Sequence, residues 1–243
     1  MKRGKQLNSD GKRTYYEVLK NNGRRVVRNI VEVEVNDQGT SNDGERSDII
    51  SAKKYINSLV STLLFKELEK QGLSTYYLRQ GTTSTSKIVK RFEEIPLEVI
   101  GRKCSEGSLC DREEIKLEHL IVKMIYNDNR GNKDPISSEF AEDSGIANMM
   151  TLMNIYDNME IIYEIASHFF GKLGLTLIDF KARFGFECKT GKLILVDELN
   201  MDTCHLQDNS GKTPYEQIFC NGSPYNINYD RMIHLLKECE VGK

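Results

Sequence analysis

Tryptophan is absent from this chain, and proline is scarce, with four residues in all. The scarcity of proline argues against a proline-rich linker or a disordered tail. Long apolar runs are missing too, because no stretch approaches the roughly 20 apolar residues of a membrane-spanning helix. The basic start at residues 1–6 is not followed by the apolar run of a secretory signal. We therefore expect a cytoplasmic protein without a membrane partner.

A marked excess of either charge is also lacking. The formal net charge is −2, whereas nucleic-acid binding needs a strong basic excess, so we expect no nucleic-acid partner. None of the six cysteines has the C-x-x-C spacing of a zinc or redox site. A chain of 243 residues can fold around its own core without disulfide bonds. We interpret the cysteines as free thiols in a reducing compartment.

Alternation of apolar and polar residues predicts strands at the start of the chain. Residues 14–20 and 24–35 have this pattern, with valines on one face of the second run and glutamates on the other. Residues 21–23 (Asn-Asn-Gly) form a hairpin-turn signal between them. A polar loop is expected over residues 36–47, and a helix with an apolar stripe over residues 51–71.

Shorter strands and a second helix follow. The predicted strands are residues 75–78, 86–92, 97–101, 175–187 and 192–198, and the predicted helices are residues 147–173 and 227–239. Strands come first and mixed strands and helices afterwards, with little β-α-β alternation, which indicates an α+β fold. Pro96 marks a break between two of the strands. We place a domain boundary there, with an N-terminal part of residues 1–95 and a C-terminal part of residues 96–243.

The hairpin over residues 175–198 contains the most informative charged residues. Asp179, Lys181 and Arg183 alternate with apolar residues and therefore project from one face of a strand. Asp197 and Glu198 end the partner strand. Carboxylates beside a lysine suit a Mg²⁺–phosphate site, because a hard cation prefers oxygen ligands and an ammonium group binds phosphoryl oxygens. The same spacing also fits a solvent-exposed ladder of opposite charges, so spacing alone leaves both interpretations open.

Several segments, taken together, resemble the SAICAR synthetase family. They occur in the family's order and span residues 12–236. The matching segments are Asp179-Phe180-Lys181 with Phe184-Gly185, Val196-Asp197-Glu198, Ile88-Val89-Lys90-Arg91, the run from Ile95 to Arg102, Gly107-Ser108-Leu109, residues 71–75 (Gln-Gly-Leu-Ser-Thr), Asp134-Pro135, Asn36-Asp37 and Asp43-Gly44.

The resemblance implies a fold and an activity. The fold would be two-lobed, with ATP between an antiparallel N-terminal sheet and a larger α+β lobe that carries the substrate and metal site. The activity would be an ATP- and Mg²⁺-dependent ligation of carboxyaminoimidazole ribotide to aspartate in purine biosynthesis. ATP would phosphorylate the ribotide carboxylate, and the amine would then displace phosphate. The implied partners are small molecules, and a homo-oligomer is a further possibility that the family suggests.

The resemblance also assigns roles on the substrate side. Arg102 and Ser108 match groups that hold the ribotide 5′-phosphate, a task that suits a guanidinium fork and a hydroxyl. Asp43 and Gly44 match a loop over the substrate. His205 stands where the family has a substrate-binding arginine, and neutral imidazole is a weaker anion ligand than guanidinium at pH 7.

The resemblance also assigns roles in catalysis, metal binding and nucleotide binding. Lys181 matches a lysine near the reacting carboxylate, Asp197 a Mg²⁺ ligand, and Asp134 an acidic residue near metal and substrate. The resemblance implies that Lys90 lies on a strand that lines the nucleotide pocket. Lys12 or Arg13, in a basic turn of altered register, could reach the ATP phosphates.

Arg183 is a marked departure, since the family has glutamate at this position. Either a metal ligand is lost, or the guanidinium replaces part of the metal's charge, or Arg183 points away and pairs with Glu187. Lys123 is an uncertain match to a family lysine, because the segment that follows it is longer than the family's.

These departures leave two alternatives to the leading function open. One is a paralogue that acts on another azole or nucleoside carboxylate, and the other is a nucleotide-binding protein that does not catalyse ligation.

Overall fold

The computed structural model describes residues 2–9, 13–19, 26–35, 44–103, 119–127, 133–208 and 236. Its first sheet has five antiparallel strands in the order β1-β2-β3-β5-β4. These strands are β1 (Lys2–Ser9), β2 (Arg13–Leu19), β3 (Val26–Val35), β4 (Tyr77–Gln80) and β5 (Ser86–Lys90), and helix α1 (Gly44–Lys70) lies between β3 and β4 in the chain.

The second sheet has six strands in the order β10-β9-β6-β7-β8, with β11 paired to β9, and all of its pairings are antiparallel. The strands are β6 (Phe92–Arg102), β7 (Ile121–Asn127), β8 (Lys133–Ile136), β9 (Thr176–Glu187), β10 (Leu193–Val196) and β11 (Cys204–Gln207), with helices α2 (Ser138–Asp143) and α3 (Met149–Lys172). Two antiparallel sheets with separate helices confirm the predicted α+β class.

Helix α3 covers the second sheet with an apolar stripe. Its buried residues recur at three- and four-residue spacing, as an amphipathic helix requires. Asn148 caps its start, because the side-chain oxygen accepts a 2.8 Å hydrogen bond from the backbone N–H of Thr151. The backbone of β6 approaches this layer closely at Gly101, where an added Cβ would lie 2.7 Å from the ring of Phe180 and 3.0 Å from the methyl of Met159. A side chain at Gly101 would therefore force the Phe180 ring and the end of Met159 to move.

The segment between α1 and β4 connects the two sheets. Backbone hydrogen bonds join Tyr76 N to the carbonyl of Leu195 at 2.8 Å and Leu195 N to the carbonyl of Ser74 at 2.9 Å. The Tyr76 ring is fully buried and packs edge-on against Phe65 and Phe92, at centroid distances of 5.4 Å and 5.8 Å. Aromatic pairs in this geometry add to the free energy of burial. The end of β10 is therefore held in a fixed position relative to α1.

Most predicted elements appear in the structure. The strands predicted at residues 14–20 and 24–35 are β2 and β3, the helix predicted at residues 147–173 is α3, and the predicted hairpin is β9 with β10. Sequence patterns did not identify β1, β7, β8, β11 or the short helix α2. The turn at residues 21–23 lies outside the described residues. Of the predicted helix at residues 227–239, the structure describes Leu236, which is buried.

Two predictions about boundaries were wrong. The polar segment ending at residue 47 is not all loop, because α1 begins at Gly44. Pro96 does not break a strand, since β6 continues through it from Phe92 to Arg102. The register with β9 shifts between Glu94 and Glu98, and such an irregularity tolerates a residue that cannot donate a ladder hydrogen bond.

The chain passes from the first sheet to the second between Lys90 and Phe92. The division into domains at residues 95 and 96 stays a prediction. Among the described residues, no helix is long and apolar enough to cross a membrane. Cys188 and Cys204, both within the described part of the chain, are free thiols, as predicted.

Candidate active site

Asp197 forms the turn that follows β10, and its backbone has a φ of 68°. Aspartate tolerates this left-handed conformation better than most residues, because its short side chain can hydrogen-bond locally. Here Oδ1 of Asp197 accepts a 2.7 Å hydrogen bond from the backbone N–H of Glu198. The same oxygen lies 2.6 Å from Nη1 of Arg13, on β2 of the first sheet. This ion pair brings together a predicted nucleotide-binding residue and a predicted metal ligand.

Arg183 approaches the other oxygen of Asp197, with Nε 3.6 Å from Oδ2. Its Nη1 donates to Glu94 at 2.7 Å, and its Nη2 lies 3.6 Å from Glu98, both residues on β6. The expected alternative in which Arg183 pairs with Glu187 is therefore wrong. Burial lowers the pKa of the Arg183 guanidinium, but the hydrogen bond to Glu94 and the charges of Glu94, Asp197 and Glu98 outweigh burial, so this pKa is raised.

Burial also dominates the ionisation of Asp197. It raises the pKa of this carboxyl, and Glu198 acts in the same direction, while Arg13 and Arg183 oppose the rise. Two adjacent carboxylates in a poorly hydrated turn repel each other, and nearby cations offset that repulsion. The charge of the Asp197 side chain therefore depends on both arginines.

Glu198 pairs with Lys87, which lies on β5 and is 1% exposed. Nζ of Lys87 lies 2.9 Å and 3.0 Å from the two carboxylate oxygens, and the Tyr76 hydroxyl donates to one of them at 3.3 Å. Burial raises the pKa of Tyr76 well above its ordinary value, so the hydroxyl keeps its proton. Sequence analysis missed Lys87. The sequence did contain a signal for its burial. Alternation along β5 places Lys87 on the same strand face as the apolar Val89.

A second cluster surrounds Asp179 on β9. Strand pairing places Arg102 of β6 and His205 of β11 directly opposite Asp179, on its two sides. The Arg102 guanidinium hydrogen-bonds Oδ2 of Asp179, and Nδ1 of His205 lies 3.4 Å from the same oxygen. The structure thus brings two predicted substrate-binding residues to one carboxylate. The side chains of Arg102 and His205 are 43% and 37% exposed, so a ligand could reach them.

Lys181 lies between the cluster around Asp197 and the cluster around Asp179. It lies between Asp179 and Arg183 on β9, where alternation places all three side chains on one face, and its side chain is exposed. Its charge acts on Glu98 of β6. Burial raises the pKa of Glu98, but Lys133, Lys181 and Arg183 outweigh burial and hold that pKa below its usual value. Glu98 is a further residue of this surface that sequence analysis did not single out.

Asp134 lies apart from Asp197. It is an exposed residue of β8, whereas Asp197 follows β10, and these strands stand at opposite ends of the sheet order. Four strand spacings of about 4.8 Å correspond to about 19 Å. The structure therefore does not bring the two predicted metal ligands together.

The donor groups at Asp197 do not fit a protein-held Mg²⁺ ion. Mg²⁺ requires oxygen ligands in a near-octahedral arrangement. The oxygens of Asp197 face Arg13 and Arg183, and both oxygens of Glu198 contact Lys87. No group of three or more His, Cys, Asp or Glu side chains suited to a metal occurs in the described part of the chain.

The remaining predicted residues lie on β5, on α1 or outside the described residues. Lys90, at the end of β5, donates from Nζ to the carbonyl of Thr75 at 2.7 Å and is half-buried. Gly44 is the first residue of α1 instead of part of a loop. The placements predicted for Lys12, Asp43 and Ser108 lie outside the described residues.

Comparison with known proteins gives a consistent result. The family model for SAICAR synthetase matches residues 11–218. The phosphoribosylaminoimidazole-succinocarboxamide synthase of Streptococcus agalactiae is 32% identical over 195 residues, which cover 79% of this chain and 82% of the relative.

Solved structures share the fold. A SAICAR synthetase in complex with ADP has a TM-score of 0.70 at 22% identity, covering 98% of each chain. The SAICAR synthase of Saccharomyces cerevisiae, complexed with SAICAR, has a TM-score of 0.66 at 17% identity, covering 98% of this chain and 95% of that one. Because the family model covers most of the residues, and a curated relative exceeds 30% identity over most of the length, this chain belongs to the SAICAR synthetase family.

Proposed function

We propose that this protein joins carboxyaminoimidazole ribotide to aspartate, and that the reaction takes place on the face of β9 that carries Asp179, Lys181 and Arg183. As a family member, the chain is an ATP-dependent ligase of purine biosynthesis. The observation that carries the proposed location is the Arg13–Asp197 ion pair, which brings a cation of the first sheet to the end of this face. Residues 1–95 would form the nucleotide side and residues 96–243 the substrate side.

On the nucleotide side, Arg13 and Lys90 are the described cations that would meet the ATP phosphates, together with Lys12. Arg13 contacts Asp197 in the structure, and a polyphosphate is a stronger anionic partner for a guanidinium than one carboxylate. ATP binding would therefore draw Arg13 from Asp197 to the phosphates. The related SAICAR synthetase solved with ADP supports a nucleotide site in this fold.

On the substrate side, Arg102 and Ser108 would bind the ribotide 5′-phosphate. Asp179 hydrogen-bonds the Arg102 guanidinium and fixes its direction, while the guanidinium stays partly exposed. His205 shares that carboxylate and would contact the substrate beside Arg102. Asp43 and Gly44 would lie over the bound ribotide.

The chemistry proceeds in two steps. The ribotide carboxylate attacks the γ-phosphorus of ATP, the bond to the β-phosphate oxygen breaks, and ADP leaves an acyl phosphate behind. The aspartate amine then attacks the acyl carbon, phosphate departs with the bonding electrons, and the amide forms as the nitrogen loses its proton. Lys181 would neutralise the charge that develops on the acyl phosphate oxygens. Asp197 and Asp134 would not hold one metal ion together, because their strands stand at opposite ends of the sheet order.

The test is release of phosphate from ATP with carboxyaminoimidazole ribotide, with and without aspartate, and with the product identified by mass. Aspartate-dependent release together with the succinocarboxamide product is the expected result. Phosphate release that needs a different carboxylate would identify a paralogue. The absence of turnover in protein that still binds ADP would identify a nucleotide-binding homologue. The relatives named above favour neither alternative.

A further inference from the structure

We propose that Arg183 acts as a built-in cation at the Asp197–Glu198 carboxylates, so that the site binds nucleotide without a divalent ion held by the protein. The inference rests on the proposed function insofar as the ligand is a nucleotide. Asp197 and Glu198 are neighbours in a tight turn, and described cations contact both of them.

The cations differ in how firmly they are held. Lys87 is buried and contacts both oxygens of Glu198, so this pair neutralises itself. Arg13 lies on the other sheet and is the group that phosphates would attract. Arg183 is anchored by Glu94 at 2.7 Å and by Glu98 at 3.6 Å, on a strand of the same sheet.

This difference determines which cation still neutralises Asp197 when a nucleotide binds. If Arg13 turns to the phosphates, Asp197 keeps Arg183 beside its second oxygen. A guanidinium carries a permanent charge and several N–H donors, and it can therefore neutralise a carboxylate and face a phosphate at the same time. The position beside Asp197 that a metal ion would need stays occupied by a fixed positive charge.

A divalent ion approaching Asp197 would be attracted by the carboxylate and repelled by Arg183, whose Nε lies 3.6 Å from Oδ2. At a separation of about 4 Å, a doubly charged ion and a guanidinium repel each other by roughly twice the energy of two unit charges. Glu94 and Glu98 each use one oxygen on Arg183, so the guanidinium competes with an ion for both carboxylates. The same carboxylates would become available as metal ligands if Arg183 were replaced.

The first arm of the test uses Mn²⁺ alone, titrated into the full-length protein and followed by the electron paramagnetic resonance signal of the free ion. The wild type should show no saturable site over the Mn²⁺ range titrated, whereas R183E should have a Kd at least about tenfold below the top of that range. K189E makes the same charge change in the exposed β9–β10 turn and should behave as the wild type. R183Q, which removes the cation without adding a carboxylate, should show a smaller gain and covers the case in which R183E fails to fold.

The second arm measures ADP binding by calorimetry in excess Mg²⁺ and in excess chelator. The wild-type affinity should change by less than about threefold, and R183Q should lose at least about tenfold in chelator while Mg²⁺ restores most of the loss. A saturable Mn²⁺ site in the wild type, or a tenfold drop of its ADP affinity in chelator, would overturn the inference and leave the proposed function standing. No ADP binding under either condition would refute the nucleotide site, and the Mn²⁺ arm would still decide the role of Arg183.

Discussion

Nη1 of Arg13 lies 2.6 Å from Oδ1 of Asp197, and this ion pair links β2 of the first sheet to the turn after β10 in the second. The two residues are 184 positions apart in the sequence. Both side chains are partly exposed, at 12% and 23%. The pair is therefore partly open to solvent, and a phosphate group can compete for its cation.

Replacing Arg13 should weaken nucleotide binding more than it weakens the fold. We expect R13A to raise the KM for ATP about tenfold, because a charge-assisted contact to phosphate is lost. The free energy of unfolding should fall by only about 1 kcal/mol, because Arg183 still neutralises Asp197 when Arg13 is removed. Steady-state kinetics and urea unfolding measure the two effects. R28A, at an exposed position of β3, is the matched control, and an unchanged KM in R13A would contradict the nucleotide role.

Lys87 and Glu198 should behave as a buried pair whose members depend on each other. K87M leaves the carboxylate of Glu198 buried without its cation, and we expect a loss of about 3 kcal/mol in the free energy of unfolding. The double variant K87M/E198L removes both charges and should be less destabilised than K87M alone. Urea unfolding of the wild type, both single variants and the double variant gives the coupling energy. Additive losses would show that the contact contributes little.

Lys181 should matter for turnover and not for stability. Its side chain is exposed, so K181A should change the free energy of unfolding by less than about 0.5 kcal/mol. Turnover should fall at least about a hundredfold, because the positive charge near the reacting carboxylate is lost. K189A, an exposed lysine in the next turn, is the control for loss of surface charge. Full activity in K181A would remove this residue from the mechanism.

The charged face of β9 could be predicted from the sequence because it depends only on the order of residues within one strand. Alternation along one strand places Asp179, Lys181 and Arg183 together whatever the rest of the chain does. The apolar stripe of α3 likewise depends only on the spacing of residues within one helix. Family resemblance added Arg102 and His205, and strand pairing then placed both beside Asp179.

Contacts between distant segments could not be predicted in this way. Lys87 and Glu198 are 111 positions apart, and no periodicity within either segment indicates their pairing. The start of α1 was missed because residues 44–50 are mostly polar and lack the apolar repeat that identifies a buried helix face. Pro96 was misinterpreted because its effect depends on an irregularity in the pairing of β6 with β9, which is a tertiary feature.

Glu32 should make the stability of the first sheet depend on pH. Its side chain is fully buried, and Oε1 accepts hydrogen bonds from Arg3 at 2.9 Å, from Ser86 at 2.7 Å, and from the backbone and hydroxyl of Thr82 at 2.7 Å and 2.6 Å. Burial raises the pKa of Glu32, but these hydrogen bonds outweigh it and lower the pKa to about 2. The charged form is therefore the one that the folded protein prefers.

The sign of the effect follows from that shift. Because the folded-state pKa of Glu32 is about 2 and its ordinary value is 4.5, its contribution is complete above pH 4.5 and is lost as pH falls towards 2. We expect the wild type to lose about 2 kcal/mol more than E32Q across this range, since other acidic groups titrate in both proteins. Urea unfolding at pH 6, 4.5, 3.5 and 2.5 measures the difference. Parallel pH profiles would show that the carboxylate of Glu32 gains no stability from its hydrogen bonds, whereas converging profiles would assign the acid sensitivity of this sheet to Glu32.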